Sequence, residues 1–219
     1  MVTLDNIKHS DEINELIRMA DNALAASDFT LHNQTHVNRV VDNISFVTAH
    51  SFVEFSEREK ELAQIAAYMH DIGNVVNRMD HSHSGAVLAY CLLKDMAMPQ
   101  HEILEIMTAI GNHDIDTGVP VNKIGAALII ADKVDVINTR VRSDIKLEND
   151  YTHHNTINTN VTEYYLEYDF GKFIANFTVN SGYTGLFFKL YYDNMMLCKK
   201  AADFLGNYFM VRINNSWMM

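Results

Sequence analysis

The sequence predicts a mainly α protein: a bundle of helices with a small C-terminal β-hairpin and a terminal helix. Three observations predict it. The 219 residues include only 2 prolines and 9 glycines, spread thinly, so little interrupts helices in the first two thirds. Across that stretch apolar residues recur at steps of three and four, the period of a helix with one buried face. After about residue 150 the texture turns to Tyr, Phe, Thr and Val in "TINTNVTEYYLEYDFGKFIANFTV", which suits paired strands.

Taken in order, the spacing places helices near 10–27, 34–50, 57–70, 82–96, 100–112 and 121–143. Ser56 ahead of "EREKEL", with Glu59 three residues on, offers a reciprocal N-terminal cap for the third. Pro99 and Pro120 punctuate the turns before the fifth and sixth. "DFGK" supplies the hairpin turn. "GLFFKLYYDNMMLCKKAADFLGNYF" returns to helical spacing, with Leu186, Leu190, Leu197 and Phe204 among its apolar positions. Residues 1–150 then form the helical core, and 151–219 a hairpin and helix packed on it. At 48% hydrophobic the chain has material for one full core, and no linker requires a second domain.

Composition excludes several function classes. The N-terminus "MVTLDNIKHSDEINELI" lacks the apolar stretch of a signal peptide. No apolar run approaches the roughly 18 to 20 residues that cross a bilayer, so no membrane role is expected. A net charge of −11 argues against nucleic acid as a partner, because phosphate backbones need a basic face. It leaves room for a small phosphate-containing substrate, since bound metal ions reverse the sign of a local field. Cys91 and Cys198 sit in amphipathic segments without metal-type spacing and read as buried free thiols, which suits the cytoplasm.

Five helices carry polar residues along their apolar stripes. In "ELAQIAAYMHDIGNVV", Leu62, Ala66 and His70 fall four apart, so His70 continues the buried face. His36 aligns with Val40 and Ile44, His113 follows Ile106, Ala109 and Ile110, and Asp132 follows Ile124 and Leu128. His81 lies four before Gly85 and seven before Leu88; His83, two residues on, cannot face the same way, and His81 is preferred. A lone histidine on an apolar face is usually a satisfied core residue. A buried carboxylate is costly unless something pairs with it. Four histidines and two aspartates aimed inward explain one another if they meet at a metal. Imidazoles and carboxylates suit Fe, Mn, Ni, Co or Zn, and the lack of thiolates argues against a structural zinc knot.

"AAYMHDIGN", with His36 upstream and "IIADKVD" downstream, resembles the HD-domain superfamily of metal-dependent phosphohydrolases, whose signature is H…HD…D on a helical core. The resemblance spans roughly residues 30 to 145 and implies an HD-domain helical bundle. It implies a first metal on His36, His70, Asp71 and Asp132. His81, in the H-x-x-x-G form "HSHSG", and His113 match the further histidines of binuclear members, with Asp71 bridging one or two divalent transition ions. "NHD" at 112–114 is a second His-Asp pair without the following glycine, and only His113 is assigned. Many members follow HDIG with lysine; here it is Asn74, so substrate is held differently.

The implied reaction is hydrolysis of a phosphate ester of a nucleotide or other small molecule. Asp71 and Lys133 are the expected catalytic residues, and Asn74, Lys133 and Arg140 the expected substrate contacts. Arg142 is a further candidate that reads more simply as a solvated face, and Asp135 reads as orienting a ligand histidine, as taking part in proton transfer, or as a surface carboxylate. Two rival readings are a di-iron oxygenase on the same fold and a non-catalytic metal- or nucleotide-binding regulator. The aromatic C-terminal part either closes the pocket or forms a homodimer interface. Met195, Met196 and Met210 read as core or interface filler. His153 and His154 read as loop residues in solvent.

Overall fold

The computed structural model describes residues 1–143 and 154–219. It begins with a short helix α1 (Leu4–Lys8) and α2 (Asp11–Ala25), the latter burying Ile13, Ile17, Ala20 and Leu24 at helical spacing. Helix α3 (Gln34–His50) is capped by the Asn33 side chain. Helix α4 (Glu57–Met69) starts on the expected box: Ser56 Oγ accepts from the Glu59 N–H, and Glu59 reaches back to the Ser56 N–H. Helices α5 (His81–Asp95) and α6 (Gln100–Gly111) follow, and α7 (Lys123–Lys133) closes the bundle.

The centre of the molecule is α7, in which every residue from Ile124 to Lys133 is buried. It packs against α3, α4 and α6, and against the C-terminal helix α9 (Thr184–Phe204) on another side. A helix apolar on all faces has to be wrapped in this way. Its two polar residues at the C-terminal end, Asp132 and Lys133, are therefore carried into the interior.

Helix α7 stops at Lys133, about ten residues short of the expected limit. The next stretch, "VDVINTRV", is rich in β-branched residues, which lose rotamer freedom in a helix. It bends through a 3₁₀ turn at Asn138–Arg140 and pairs with the α2–α3 connection, where the Leu31 N–H donates to the Arg140 carbonyl.

The C-terminal part is richer than a hairpin. Helix α8 (His154–Thr159) precedes β1 (Val161–Asp169) and β2 (Lys172–Val179), which pair antiparallel. The expected turn joins them: Phe170 and Gly171 both have positive φ, as a two-residue type I′ hairpin requires. Strand β3 (Tyr208–Ile213) then runs parallel to β2 after the α9 crossover, and β4 (Ser216–Trp217) folds back on it across Asn214–Asn215, both also at positive φ. The sheet order is β1-β2-β3-β4. Helix α9 ends where Gly206 adopts φ +77° and the Asn207 N–H returns to the Ala202 carbonyl, so the expected continuation of helix into "GNYF" is replaced by strand.

Two further expectations change. Cys198 is buried but Cys91 is exposed. Helix α5 buries the i+4 row His81, Gly85, Ala89 and Leu93, and Cys91 lies half a turn off it. On α9 the buried row runs through Phe187, Tyr191, Met195, Leu197 and Cys198, leaving Phe204 at the surface. His154 stands at the start of α8, with its ring 5.1 Å from that of Tyr191; His153 lies outside the described residues. Among the described residues no helix is long and apolar enough to cross a membrane.

Candidate metal centre

The local path of the chain after α4 explains how the ligands meet. His70 is the last residue with helical dihedrals, and Asp71 leads into a 3₁₀ turn at Ile72–Val75. Gly73 sits at the closest approach of that turn to α5: a Cβ there would lie 1.9 Å from the His81 carbonyl oxygen and 2.4 Å from the Gly85 nitrogen. Gly85 in turn faces the backbone of Gly73 and the His70 carbonyl. Only two glycines facing each other let α5 come this near. The contact sets His81 beside Asp71.

All six residues expected as ligands are buried: His36, His70, Asp71, His81, His113 and Asp132. Among the described residues, His36, His70 and Asp132 form one group able to hold an ion, and His70, Asp71 and His113 another. Asp71 divides its two oxygens. Oδ2 lies 3.1 Å from His70 Nε2 and 3.4 Å from His36 Nε2, while Oδ1 lies 3.5 Å from His81 Nε2 and 4.0 Å from His113 Nε2. Asp132 Oδ1 is 3.5 and 3.6 Å from the Nε2 atoms of His36 and His70.

The tautomers are fixed from behind. Nδ1 of His36 faces Asp135 Oδ2 at 2.6 Å, His70 Nδ1 the Ala67 carbonyl at 2.7 Å, His113 Nδ1 the Ile110 carbonyl at 2.6 Å, and His81 Nδ1 the Arg78 carbonyl at 3.1 Å. Each partner is an acceptor, so Nδ1 carries the hydrogen and Nε2 presents a lone pair. Four lone pairs and two carboxylates then converge. His36 Nε2 and His70 Nε2 stand 3.3 Å apart, and His113 Nε2 has no partner. Acceptors facing acceptors in a buried site repel unless positive charge lies among them. The donor set therefore fits a divalent cation.

The electrostatics agree. Burial alone would lower the His70 pKa, but Asp71 and Asp132 overcome it and hold it at about 10, so the carboxylates draw a proton to the place where a cation belongs. Burial opposes ionisation of Asp71 and Asp132 too, yet His70 beside Asp71 and Lys133 beside Asp132 keep both well below the usual carboxylate range. Away from the carboxylates' strongest pull, burial and the Lys133 charge push His113 down to about 3.

A cavity of about 310 Å³ opens on this cluster, in the range of small-molecule pockets. Asp71, His81, His113 and Asp132 form one part of its wall. Lys133 lines it, with Nζ donating to Asp132 Oδ2 at 2.7 Å. Arg140 lines it as well, but its Nε donates to the Leu31 carbonyl and its Nη1 to the Asp135 carbonyl. Arg142 is neither solvated nor in the wall: it is buried on Asp21 and on the carbonyls of Phe29 and Thr30. Asn74 departs from its expected place among the substrate contacts. Its amide nitrogen donates to both the carbonyl and the Oδ1 of Asp71, behind the carboxylate and outside the cavity wall. The short reach of an asparagine from a turn only three residues away is the physical reason. His83 is exposed, as its position opposite His81 requires.

Asp135 is fully buried, bonded to His36 and to Arg39 Nε at 2.7 Å, so it orients the His36 imidazole and is no surface carboxylate. Several cavity residues were not singled out in the sequence. His32 is buried with Nε2 3.9 Å from Asp71 Oδ2, and it lies in the connection just ahead of α3, four residues before His36. Asp114, in the "NHD" set aside above, is buried with Oδ1 unpartnered. Asn155, Asn158, Tyr191 and Asn194 bring the C-terminal part into the wall, and Tyr191 donates to Asn158 Oδ1 at 2.6 Å. Nothing in their spacing marks them.

No protein-family model matches the chain, and no curated protein matches it significantly. Among solved structures it is similar to one described as a predicted HD superfamily hydrolase from an uncultured Thermotogales bacterium. The identity is 29%, the match covers 59% of this chain and 70% of that one, and the TM-score is 0.44. The buried groups His36, His70, Asp132 and His70, Asp71, His113 could each hold a metal ion.

Proposed function

We propose that this chain is a metal-dependent phosphohydrolase of the HD superfamily, cleaving a phosphate ester of a nucleotide or another small molecule. The observation that carries the reading is the shared cavity: a His/Asp cluster built for a cation lies beside the cationic Lys133 and Arg140. His36, His70, Asp71 and Asp132 would hold one ion, and Asp71, His81 and His113 a second, with Fe, Mn, Ni, Co and Zn all suited to the donors. A divalent ion there supplies Lewis-acid chemistry, polarising a phosphoryl oxygen and making a water nucleophilic near neutral pH.

The chain's own residues do the rest. Among the described residues Asp71 is the one carboxylate with an oxygen toward each histidine pair, and Asn74 holds it through hydrogen bonds to its Oδ1 and its carbonyl. Asp135 holds the His36 tautomer. Lys133 meets charge that develops on phosphoryl oxygens, and Arg140 stands in the wall where it adds to that field. Tyr191 and the asparagines around it bound the space for the rest of the substrate.

The test is metal analysis of the purified protein, followed by a panel of nucleotides and phosphoesters with Mn, Co and Ni. Asp71→Ala abolishes both metal loading and hydrolysis while the far-ultraviolet helical signal persists. An iron-loaded, coloured protein that cleaves no phosphoester refutes the reading.

A further inference from the structure

We infer that Arg78 is a phosphate-binding residue of this site, acting with Lys133 on the phosphoryl group of the substrate. The inference rests on the phosphohydrolase reading and names the cation that reading lacks at position 74. Among the described residues, three cationic side chains line the cavity: Arg78, Lys133 and Arg140. Lys133 is committed to Asp132 at 2.7 Å, and Arg140 to two backbone carbonyls. Arg78 is not committed. Its side chain keeps 33% exposure, and its polar contacts are all long: Asn74 Oδ1 at 3.4 Å, His81 Nε2 at 3.3 Å and Asp114 Oδ1 at 3.8 Å.

The guanidinium is nevertheless placed. Its carbon lies 5.4 Å from the centroid of the Phe29 ring, a contact that engages the face of the cation and leaves its N–H edge available. That edge is the part of arginine that recognises phosphate, through two parallel hydrogen bonds. The buried Asp114 carboxylate holds two of these cations near each other at the cavity wall. Its Oδ1 is buried and accepts no hydrogen bond, though Arg78 Nη2 and Lys133 Nζ lie 3.8 and 4.0 Å away. Arg78 does not close on that carboxylate and keeps its donors for a ligand, with the Lys133 charge beside it. Once His81 Nε2 serves as a ligand, it also ceases to accept from Arg78 Nη1, freeing a further donor.

The experiment uses the full-length, metal-loaded protein, with inorganic phosphate and p-nitrophenyl phosphate as probes. Arg78→Gln weakens calorimetric binding of inorganic phosphate about tenfold to a hundredfold. It raises KM for p-nitrophenyl phosphate similarly, while metal content and unfolding midpoint match wild type. Arg78→Lys recovers part of the affinity, since an ammonium cannot make the paired contact. Unchanged phosphate affinity in Arg78→Gln overturns the inference, and so does a loss that appears only together with lost metal or lost stability. A wild-type protein that binds no phosphate overturns this inference and the proposed function together. If wild type binds phosphate but cleaves no ester, the proposed activity falls alone, and the affinity of the Arg78 variants still decides this one.

Discussion

Replacing Asp135 by asparagine changes one atom in a fully buried carboxylate and tests whether the His/Asp cluster is held from behind. Asp135 accepts from His36 Nδ1 at 2.6 Å and from Arg39 Nε at 2.7 Å, with Arg140 3.8 Å away. An amide has one acceptor oxygen, so its NH₂ group must face either the imidazole N–H or the guanidinium. One buried donor is left unsatisfied, which costs about 1 to 3 kcal/mol. His36 also loses the partner that fixes its tautomer, for which a drop of about 10- to 100-fold in metal affinity is typical. Chelator competition measures the second effect and urea unfolding of the metal-free protein the first. The pH dependence has a definite sign. Burial alone would raise the Asp135 carboxyl, but the His36 bond and the Arg140 and Arg39 charges hold it well below the usual range. A depressed carboxyl contributes stability in full above its unfolded value of about 3.9, and that contribution fades as pH falls toward the lower folded value. The gap between wild type and Asp135→Asn is therefore constant above about pH 4 and narrows below it. Metal affinity within twofold of wild type would refute the argument that Asp135 orients His36.

Three further outcomes follow from the same geometry. His81→Ala removes one metal equivalent and keeps the other, as counted by elemental analysis; loss of none argues for a single ion. Gly73→Ala places a methyl against the His81 carbonyl and the Gly85 nitrogen, so it should cost at least the roughly 1 to 3 kcal/mol typical of overpacking. It should also lower metal content by displacing His81, and a variant with normal stability and loading contradicts the close approach. Tyr191→Phe removes the buried donor to Asn158 Oδ1 and should destabilise the fold by about 1 to 3 kcal/mol while leaving metal content intact; loss of metal would tie Tyr191 to the centre instead.

Much of the helical part was legible because burial and period coincide there. The i+4 rows through His36, His70 and Asp132 predicted side chains that are buried, and the Ser56–Glu59 box formed as read. The length of α7 was not legible from its apolar pattern, since that pattern runs on into "VDVINTRV"; the β-branched residues there were the contrary signal. The second hairpin is not read from the sequence because the helical spacing is carried on through "LGNYF" and "MVRINNSW" is given no element. Gly206 as a helix stop and Asn214–Asn215 as a two-residue turn were both present to be read. Arg78 had no such signal. It lies between two elements, and only its approach to Phe29 and Asp114 gives it a place.

The sequence by itself determined which polar groups travel with the core, because a residue one or two turns along an apolar row must follow that row inward. It could not determine what those groups face once inside. The fold decided that Asp71 offers one oxygen to each pair of histidines, that Asn74 turns its amide back on Asp71, and that α8 and α9 close the far wall of the cavity. Apart from the local Asn74 and His70 contacts, these join residues ten or more positions apart, so their partners are set by how helices pack and not by the spacing along any one of them.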